Sequence, residues 1–247
     1  VGHGTPMNAI LDNEWTRAFQ ALSLDIPKPK AIVAISGHFY VPGIFVTDNA
    51  APPTIHDFGG FPKELFEIEY GCPGSPELAQ RISEMLDGHA QLTDKWGLDH
   101  GTWSVLLHMY PDADIPVVQL SIDKRLEAEV HVALGKALAP LRDEGVLILG
   151  TGNITHNMRV GFWSQEEGVV PDWSSKFDSL VAEATARHDN AALAELTRSP
   201  EGEAAHSGFD HYIPLLYVAG AANDDDPVSY PITGYNRAFS MRAVKFG

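Results

Sequence analysis

The amino-acid sequence predicts an α/β fold: one domain with a central, largely parallel or mixed sheet that is flanked by helices. Strand-like runs alternate with helix-like runs, which is typical of a sheet with helices packed on it. The runs at residues 31–36, 117–121 and 146–150 are apolar and rich in Val and Ile, as in strands that are buried on both faces. No repeat or low-complexity linker divides the chain, so we expect a single domain over residues 1–247.

The individual elements follow from hydrophobic periodicity and from residues that mark helix ends. Ser75 can cap a helix, Pro76 suits the first helical position, and Gly88 follows the last turn. The predicted strands are residues 31–36, 43–47, 117–121, 146–150, 227–231 and 239–246. The predicted helices are residues 15–24, 76–86, 102–110, 126–142, 174–188, 191–197 and 212–222. We also expect a short apolar strand before His3, truncated at residue 1.

The chain is acidic, with 17 Lys and Arg against 33 Asp and Glu, and its formal net charge is −16. This charge argues against a nucleic-acid or anionic-membrane partner, because phosphate groups bind to basic patches. No apolar run reaches the roughly 18 residues of a membrane span, and no signal peptide is visible. Cys72 is the only cysteine, which fits a reducing cytoplasm and leaves nitrogen and oxygen atoms as the ligands of any metal site.

Four histidines stand where an α/β sheet would deliver metal ligands. His38 and His156 follow apolar strand runs, His3 lies between two glycines, and His211 precedes an apolar helix. Ligands bind beyond the carboxyl ends of strands in open α/β sheets, so we expect these side chains at one edge of the sheet. Imidazole suits zinc, iron, copper and nickel. Together the four predict one metal site, although each alone also fits a structural role in a turn, a loop or a helix cap.

Two further histidines are candidates for chemistry near that site. His100 stands just before a predicted helix, whose N-terminus lowers the pKa of an imidazole, while the neighbouring Asp99 opposes this shift. His100 is therefore a candidate general acid or base, with a structural role at the helix end as the alternative. His56 lies in a long aromatic loop and is a candidate substrate contact. The histidines predicted to be structural or exposed are His89, His108, His131 and His188, and His206 is left unassigned.

Motifs of other chemistries are missing from the sequence. There is no Gly-x-x-x-x-Gly-Lys-Ser/Thr phosphate loop, no Gly-x-Gly-x-x-Gly after a strand, and no Gly-x-Ser-x-Gly nucleophile elbow. Cys72 lies between Gly71 and Pro73 and is predicted to be a packed turn residue. No carboxylate pair stands out for glycosidase chemistry.

Six segments spread over nearly the whole chain form a specific set. They are Gly2-His3-Gly4-Thr5-Pro6-Met7, Ser36-Gly37-His38, Pro53-Thr54-Ile55-His56-Asp57-Phe58-Gly59-Gly60-Phe61-Pro62, Gly97-Leu98-Asp99-His100-Gly101, Gly152-Asn153-Ile154-Thr155-His156-Asn157 and Asp210-His211-Tyr212-Ile213-Pro214-Leu215-Leu216. In this order they resemble the class III (LigB-type) extradiol ring-cleavage dioxygenases, specifically the 4,5-DOPA dioxygenase branch. Their combination is far more specific than any single segment.

The resemblance implies a single catalytic domain with a LigB-like α/β fold and one mononuclear divalent metal. His3, His38 and His211 match the metal ligands of this branch. His156 matches a further histidine at the metal, which is either a fourth ligand or an acid–base residue. His100 matches an active-site histidine that serves acid–base or substrate-binding work. LigB-type enzymes outside this branch have a Glu as third ligand, so His211 marks a departure from the two-histidine, one-carboxylate rule.

The implied reaction is cleavage of a catechol ring, such as that of DOPA, by O2 with Fe(II) as the metal. An all-histidine site also tolerates zinc, which cannot change its redox state and would leave the protein inactive as a dioxygenase. We expect His100 or His156 to move protons, and His56, Phe58 and Tyr40 to contact the small aromatic diol. A zinc-dependent hydrolase and a non-catalytic metal-binding protein on the same fold are the alternatives.

Overall fold

The structure, a computed structural model, describes residues 1–160 and 168–247. The strands of its central sheet are β1 (Ala31–Val41), β2 (Ile44–Thr47), β3 (Ala90–Thr93), β4 (Val117–Asp123) and β5 (Val146–Thr151). Their order across the sheet is β3-β2-β4-β1-β5. β1 pairs in parallel with β4 and β5, β2 pairs in parallel with β3, and β2 pairs antiparallel with β4. The predicted α/β class with a largely parallel or mixed sheet is confirmed.

Helices pack on both faces of this sheet, and small β-hairpins follow the last helix. The helices are α1 (Glu14–Leu24), α2 (Pro76–Met85), α3 (His100–Met109), α4 (Ala128–Leu138), α5 (Pro140–Asp143), α6 (Asp172–Ala186), α7 (Asn190–Glu195), α8 (Pro200–Ala205) and α9 (Ile213–Ala221). The later strands are β6 (Val228–Ile232), β7 (Tyr235–Asn236), β8 (Phe239–Ser240) and β9 (Ala243–Phe246). Within the described ranges, no helix has both the length and the apolar character needed to cross a bilayer.

Side chains of β1 alternate between two apolar clusters on opposite faces of the sheet. Val33 and Ile35 pack into the cluster beside α9, whereas Ile32 and Ala34 pack into the cluster beside α1 and α3. Successive side chains of a strand point to opposite faces, so both kinds of position must be apolar when both faces are covered. This arrangement explains the unbroken apolar run that the sequence shows at residues 31–36.

The strand β1 does not end at Ser36, as the sequence predicts, but continues to Val41. Its register against β4 shifts between Ile35, which pairs with Leu120, and Tyr40, which pairs with Ile122. The extra residues form a bulge, and a bulge re-aims side chains. His38 therefore lies inside the bulged part of β1 and not in a loop after the strand.

Other differences from the sequence prediction have local causes. The helix predicted at 126–142 is divided into α4 and α5, because Pro140 has no N–H for the helical hydrogen-bond ladder. The strand predicted at 239–246 is divided into β8 and β9, which belong to different hairpins. β3 was not predicted, since Gln91 and Leu92 are exposed in this edge strand and no apolar pattern marks it. The short helix α8 was also not predicted.

His131 in α4 gives the fold a pH dependence that can be measured. It is fully buried, its Nδ1 lies 3.1 Å from the Tyr217 hydroxyl, and burial lowers its pKa from 6.5 to about 4. Between these two pKa values the unfolded chain binds a proton at His131 that the folded protein does not bind. The free energy of unfolding therefore has its full value above pH 6.5 and decreases as the pH falls toward 4.

Replacement of this histidine is expected to flatten the pH profile of metal-free protein. The slope of the free energy of unfolding against pH should be smaller in His131→Gln than in the wild type, by up to roughly 1.4 kcal/mol per pH unit. Urea denaturation at about pH 7 and about pH 5 measures the difference. Identical pH slopes for the two proteins would show that His131 is not buried in its neutral form.

Candidate metal centre

Histidines from distant parts of the chain meet at the edge of the sheet formed by the bulged part of β1 and the carboxyl end of β5. The ring centroids of His3 and His38 are 5.2 Å apart, and those of His3 and His211 are 5.1 Å apart. The His38 and His211 centroids are 4.8 Å apart. The His100 and His38 ring centroids are 4.0 Å apart, and those of His156 and His211 are 3.6 Å apart. These five residues, the histidine cluster, are those that the sequence analysis selected for metal or proton chemistry.

His3 is held beside the end of β5 by backbone pairing. Its N–H donates to the Gly152 carbonyl at 2.9 Å, and the Gly152 N–H donates to the Val1 carbonyl at 3.1 Å. Gly2 and Gly152 form a parallel bridge. The segment Val1–His3 thus continues the parallel pairing of the sheet and carries His3 to the edge at which β5 ends, as the sequence predicts.

His211 is the last residue of a 3-10 helix (Phe209–His211) whose backbone packs closely against the strand ends. Its carbonyl accepts the Asn153 N–H at 3.0 Å. A Cβ at Gly152 would lie 2.1 Å from that carbonyl oxygen, and a Cβ at Gly37 would lie 3.1 Å from the His211 Cα. Glycine at these two positions therefore allows His211 to approach β1 and β5.

Four rings of the cluster, those of His3, His38, His100 and His211, have Nδ1 engaged by an oxygen atom. His3 Nδ1 lies 3.1 Å from the carbonyl oxygen of the next residue. His38 Nδ1 lies 3.1 Å from Asp57 Oδ2, and His211 Nδ1 lies 2.6 Å from Asp210 Oδ2. A ring that donates from Nδ1 has its lone pair at Nε2, and metal-binding histidines are oriented in this way.

The Nε2 atoms of His3 and His38 are buried and have no hydrogen-bond partner among the residues that the structure describes. A buried polar atom without a partner is costly unless a ligand satisfies it. With a metal–nitrogen bond of about 2.1 Å, two imidazole centroids around one ion lie roughly 4.5–5.2 Å apart at common coordination angles. The separations of 4.8–5.2 Å among His3, His38 and His211 match this range. Their nitrogen donors fit one ion such as Fe(II) or Zn(II).

Two groups of side chains have ligand atoms within 4.8 Å of one another: His3, His38 and His100, and His156, Asp210 and His211. The His38 and His100 rings, at 4.0 Å, are closer than two ligands of one ion require. The His156 ring is stacked on that of His211, with centroids 3.6 Å apart and an interplanar angle of 6°, so these two rings are also closer than two ligands of one ion require. This geometry favours His3, His38 and His211 as the ligands and leaves His100 and His156 for proton transfer.

Burial determines the charge of most rings in the cluster. It lowers the pKa values of His3 and His211 well below the usual range, and it lowers the pKa of His156 to about 4. Burial also lowers the pKa of His38, but the hydrogen bond to Asp57 and nearby carboxylates outweigh it and raise that pKa overall. Neutral imidazole is the form that binds a metal, so most of the cluster is ready to do so near neutral pH.

His100 is the first residue of α3, which Asp99 caps. Its Nδ1 and its backbone N–H both lie 2.9 Å from Asp57 Oδ1. Burial lowers the pKa of His100, and the bond to Asp57 opposes the shift. Burial, which the sequence prediction did not consider, is the largest cause of the lowered pKa. The Asp57 carboxyl has its pKa held well below the usual range by its two histidines, despite burial that would raise it.

The chain is similar to known proteins over nearly its whole length. Residues 4–244 match the family described as the catalytic LigB subunit of aromatic ring-opening dioxygenase. The chain belongs to the LigB family. It is 43% identical, over all of its length and 93% of the relative, to 4,5-DOPA dioxygenase extradiol of Escherichia coli (strain K12). It is 42% identical, over 91% of its length and 86% of the relative, to the protein of the same name from Beta vulgaris.

The crystal structure of an uncharacterized protein from Escherichia coli K12 has the same LigB-like fold. It covers 98% of this chain and 96% of its own, with a TM-score of 0.85 and 37% sequence identity. As a member of the LigB family, the protein is an aromatic ring-opening dioxygenase, an oxidoreductase of a metal-dependent family. The dioxygenase prediction is therefore confirmed.

Aromatic side chains of this LigB-family enzyme line one side of His100. The Phe58 ring meets the His100 ring edge to face at 5.3 Å. The His56 and Phe58 ring centroids are 5.9 Å apart, and His56 Nε2 is 3.0 Å from the Ile68 carbonyl oxygen. Tyr40 follows the β1 bulge and is half-buried; burial and the charge of Asp210 raise its pKa. Contact of His56, Phe58 and Tyr40 with substrate stays a prediction.

The sequence argument missed the carboxylates that hold the rings of the LigB site. Asp57 and Asp210 lie in segments that carry the family resemblance, yet neither received a role there. A signal was present, because each is adjacent to a histidine in the pairs His56-Asp57 and Asp210-His211. Orienting carboxylates are expected wherever neutral histidines gather in a buried site.

Histidines predicted to be structural or exposed lie outside the cluster. His108 Nε2 is 2.7 Å from the Asn8 carbonyl oxygen, and His188 Nε2 is 3.0 Å from a carbonyl oxygen of the last turn before β6. His206, which the sequence left unassigned, is buried with its Nε2 2.7 Å from the Ile154 carbonyl oxygen. These contacts indicate structural roles.

A groove of about 590 Å³ runs along the outer edge of β5 and not over the histidine cluster. Its lining includes apolar side chains such as Leu147, Leu149 and Val244, and His211 touches one end. Of the five rings of the histidine cluster, that of His211 alone touches the groove, so the site is located by the donor atoms and not by the volume.

Proposed function

We propose that this LigB-family enzyme cleaves the ring of a catechol such as DOPA, beside its two hydroxyl groups, with O2 at a single Fe(II) ion. The proposal depends mainly on the buried histidine trio, in which the Nε2 atoms of His3 and His38 have no hydrogen-bond partner in the described part of the chain. It is further supported by the 43% identity, over the full length of the chain, to 4,5-DOPA dioxygenase extradiol. The single cysteine fits a reducing cytoplasm, and the acidic charge argues against a nucleic-acid or anionic-membrane partner.

His3, His38 and His211 would hold the metal, with Asp57 and Asp210 fixing two of the rings. When bound, Fe(II) supplies a site at which the catechol oxygens and O2 meet and through which ring electrons pass to O2. Both oxygen atoms enter the product, so the reaction needs no external reductant. Zn(II) fits the same donors but supplies no redox chemistry.

His100 takes the proton of a catechol hydroxyl in this scheme. Because Asp57 holds the proton at its Nδ1, Nε2 carries the lone pair and is the accepting atom. Its lowered pKa keeps the ring neutral before reaction and favours return of the proton to the substrate oxygen. His156 lies on the His211 side of the cluster and is the second site at which a proton can be held.

The aromatic side chains beside His100 provide the surface for the substrate ring. Phe58 packs on Phe61 and Phe66, so its position is fixed by other rings. Packing of a flat apolar ring against this surface excludes water from the reacting carbons and orients the two hydroxyls toward His100. The His56 ring packs on that of Phe58, and Tyr40 lies near enough to Asp210 for its charge to raise the pKa of the Tyr40 hydroxyl.

Metal-free protein loaded with Fe(II) without air is expected to consume one O2 per catechol when DOPA and oxygen are added. The expected product is a yellow ring-opened seco-DOPA, followed by its absorbance alongside an oxygen electrode. The Zn(II)-loaded protein is the control and should be inactive. No oxygen uptake across a panel of catechols would refute the proposal, and turnover with Zn(II) in the absence of oxygen would indicate a hydrolase instead.

A further inference from the structure

One loop residue contacts both a proposed metal ligand and the proposed proton-transfer residue. Asp57 Oδ2 lies 3.1 Å from His38 Nδ1. Asp57 Oδ1 lies 2.9 Å from His100 Nδ1 and also accepts the His100 backbone N–H at 2.9 Å. The Asp57 side chain is 16% exposed. A single, largely buried carboxylate therefore holds two imidazole rings whose centroids are 4.0 Å apart.

The loop that carries Asp57 is fastened to the segment that leads into α3. The Ile55 N–H donates to the Leu98 carbonyl at 2.7 Å, and the Leu98 N–H donates to the Pro53 carbonyl at 2.8 Å. The Trp103 indole N–H donates to the Ile55 carbonyl at 2.9 Å. Asp57 is thus held in place by backbone bonds on the same element that presents His100, and its position does not depend on the histidines alone.

The position of Asp57 fixes which nitrogen of each ring carries the proton. An ionised carboxylate accepts hydrogen bonds and donates none, so both rings must present N–H at Nδ1. The lone pair then lies on Nε2 in both His38 and His100. In His38 this is the atom that faces the metal, and in His100 it is the atom that receives the substrate proton.

We propose that Asp57 is a positioning residue that sets the tautomers of His38 and His100 together, so that metal retention and proton transfer depend on one carboxylate. The roles of the two histidines in this inference rest on the proposed function. Asp210 is the natural comparison, because its carboxylate contacts the ring of one ligand, His211. Loss of Asp210 should therefore affect metal retention alone.

The variant Asp57→Asn tests whether metal retention and proton transfer both depend on this carboxylate. The asparagine side chain has one oxygen acceptor and an NH2 donor, so it can satisfy only one of the two Nδ1–H groups. Asp57→Asn is expected to lower Fe(II) affinity by about 10–100-fold, measured by competition with a chelator, and kcat at saturating Fe(II) by about 10–100-fold. Asp210→Asn should lose affinity but keep a kcat close to that of the wild type at saturating Fe(II).

Long-range proton–nitrogen NMR of the Zn(II)-loaded protein reads the tautomers without turnover. In the wild type, His38 and His100 should both carry the proton at Nδ1. In Asp57→Asn a metal-bound His38 must keep its proton at Nδ1, so the His100 proton is expected to move to Nε2. The control variant Asp94→Asn changes an exposed carboxylate and should keep the wild-type tautomers of His38 and His100.

A proton at Nε2 of either ring in the wild type would overturn the inference, whether or not the variant folds. Wild-type affinity and kcat in Asp57→Asn would overturn it as well. Loss of only one of the two quantities would assign Asp57 to a single histidine and refute the coupling. If the wild-type enzyme takes up no oxygen with any catechol, the proposed function fails, while the NMR and metal-affinity results still decide the role of Asp57.

Discussion

His38→Ala and His211→Ala are expected to retain little or no Fe(II) and to show no measurable oxygen uptake with a catechol. Each change removes one of the three proposed ligand nitrogens. His38→Ala also leaves Asp57 with one imidazole partner instead of two, and His211→Ala removes the imidazole that Asp210 contacts. Loss of a metal ligand should lower the metal affinity by more than the roughly 10–100-fold expected when a residue that only orients a ligand is lost. Metal analysis after Fe(II) loading and desalting, together with an oxygen electrode, measures both effects.

Two controls accompany the ligand variants. His131→Ala changes a buried histidine outside the cluster and should keep the metal content of the wild type. His100→Ala should also keep the metal, although His100 belongs to a second group of three close ligand atoms with His3 and His38. If His100→Ala lost the metal while His211→Ala kept it, the ligand set would be His3, His38 and His100.

His100→Gln is expected to lower kcat by about 10²–10⁴-fold at unchanged metal content. Glutamine has nearly the reach of histidine but no nitrogen that can take up a proton near neutral pH, so the substrate hydroxyl loses its acceptor. Steady-state oxygen uptake at saturating Fe(II), with KM determined in parallel, measures the effect. Equal kcat values for His100→Gln and the wild type would remove His100 from the chemistry.

His156→Gln is the matched comparison for the His100 variant. The stacked geometry of His156 on His211 favours an acid–base role over that of a fourth ligand, so this variant should also keep the metal. Metal loss in His156→Gln would make His156 a ligand after all. A fall in kcat without metal loss would place a second proton-transfer step at His156.

The histidine cluster was predictable because the relevant signals are local. His38 and His156 follow buried strands, and Gly37 and Gly152 mark close backbone approach, all of which can be recognised in short segments. The bulge in β1 was not predictable, because it depends on the register against β4. Asp57 was missed for a similar reason: its two partners come from β1 and from α3, and His100 lies 43 residues further along the chain. Short polar elements such as β3 carry too little apolar pattern to be recognised.

The pairing that brings His3 to the end of β5 joins segments 149 residues apart, and His211 follows β5 along the chain. During translation the His3 segment leaves the ribosome long before β5 is made, and a nascent chain that stops short of His211 has an incomplete ligand set. Pairings of such long sequence separation also form slowly. With the proposed ligands, metal capture therefore follows the synthesis of His211. Which ion fills the site then depends on the metals that the released protein meets, since His nitrogen donors bind several divalent ions and select weakly among them.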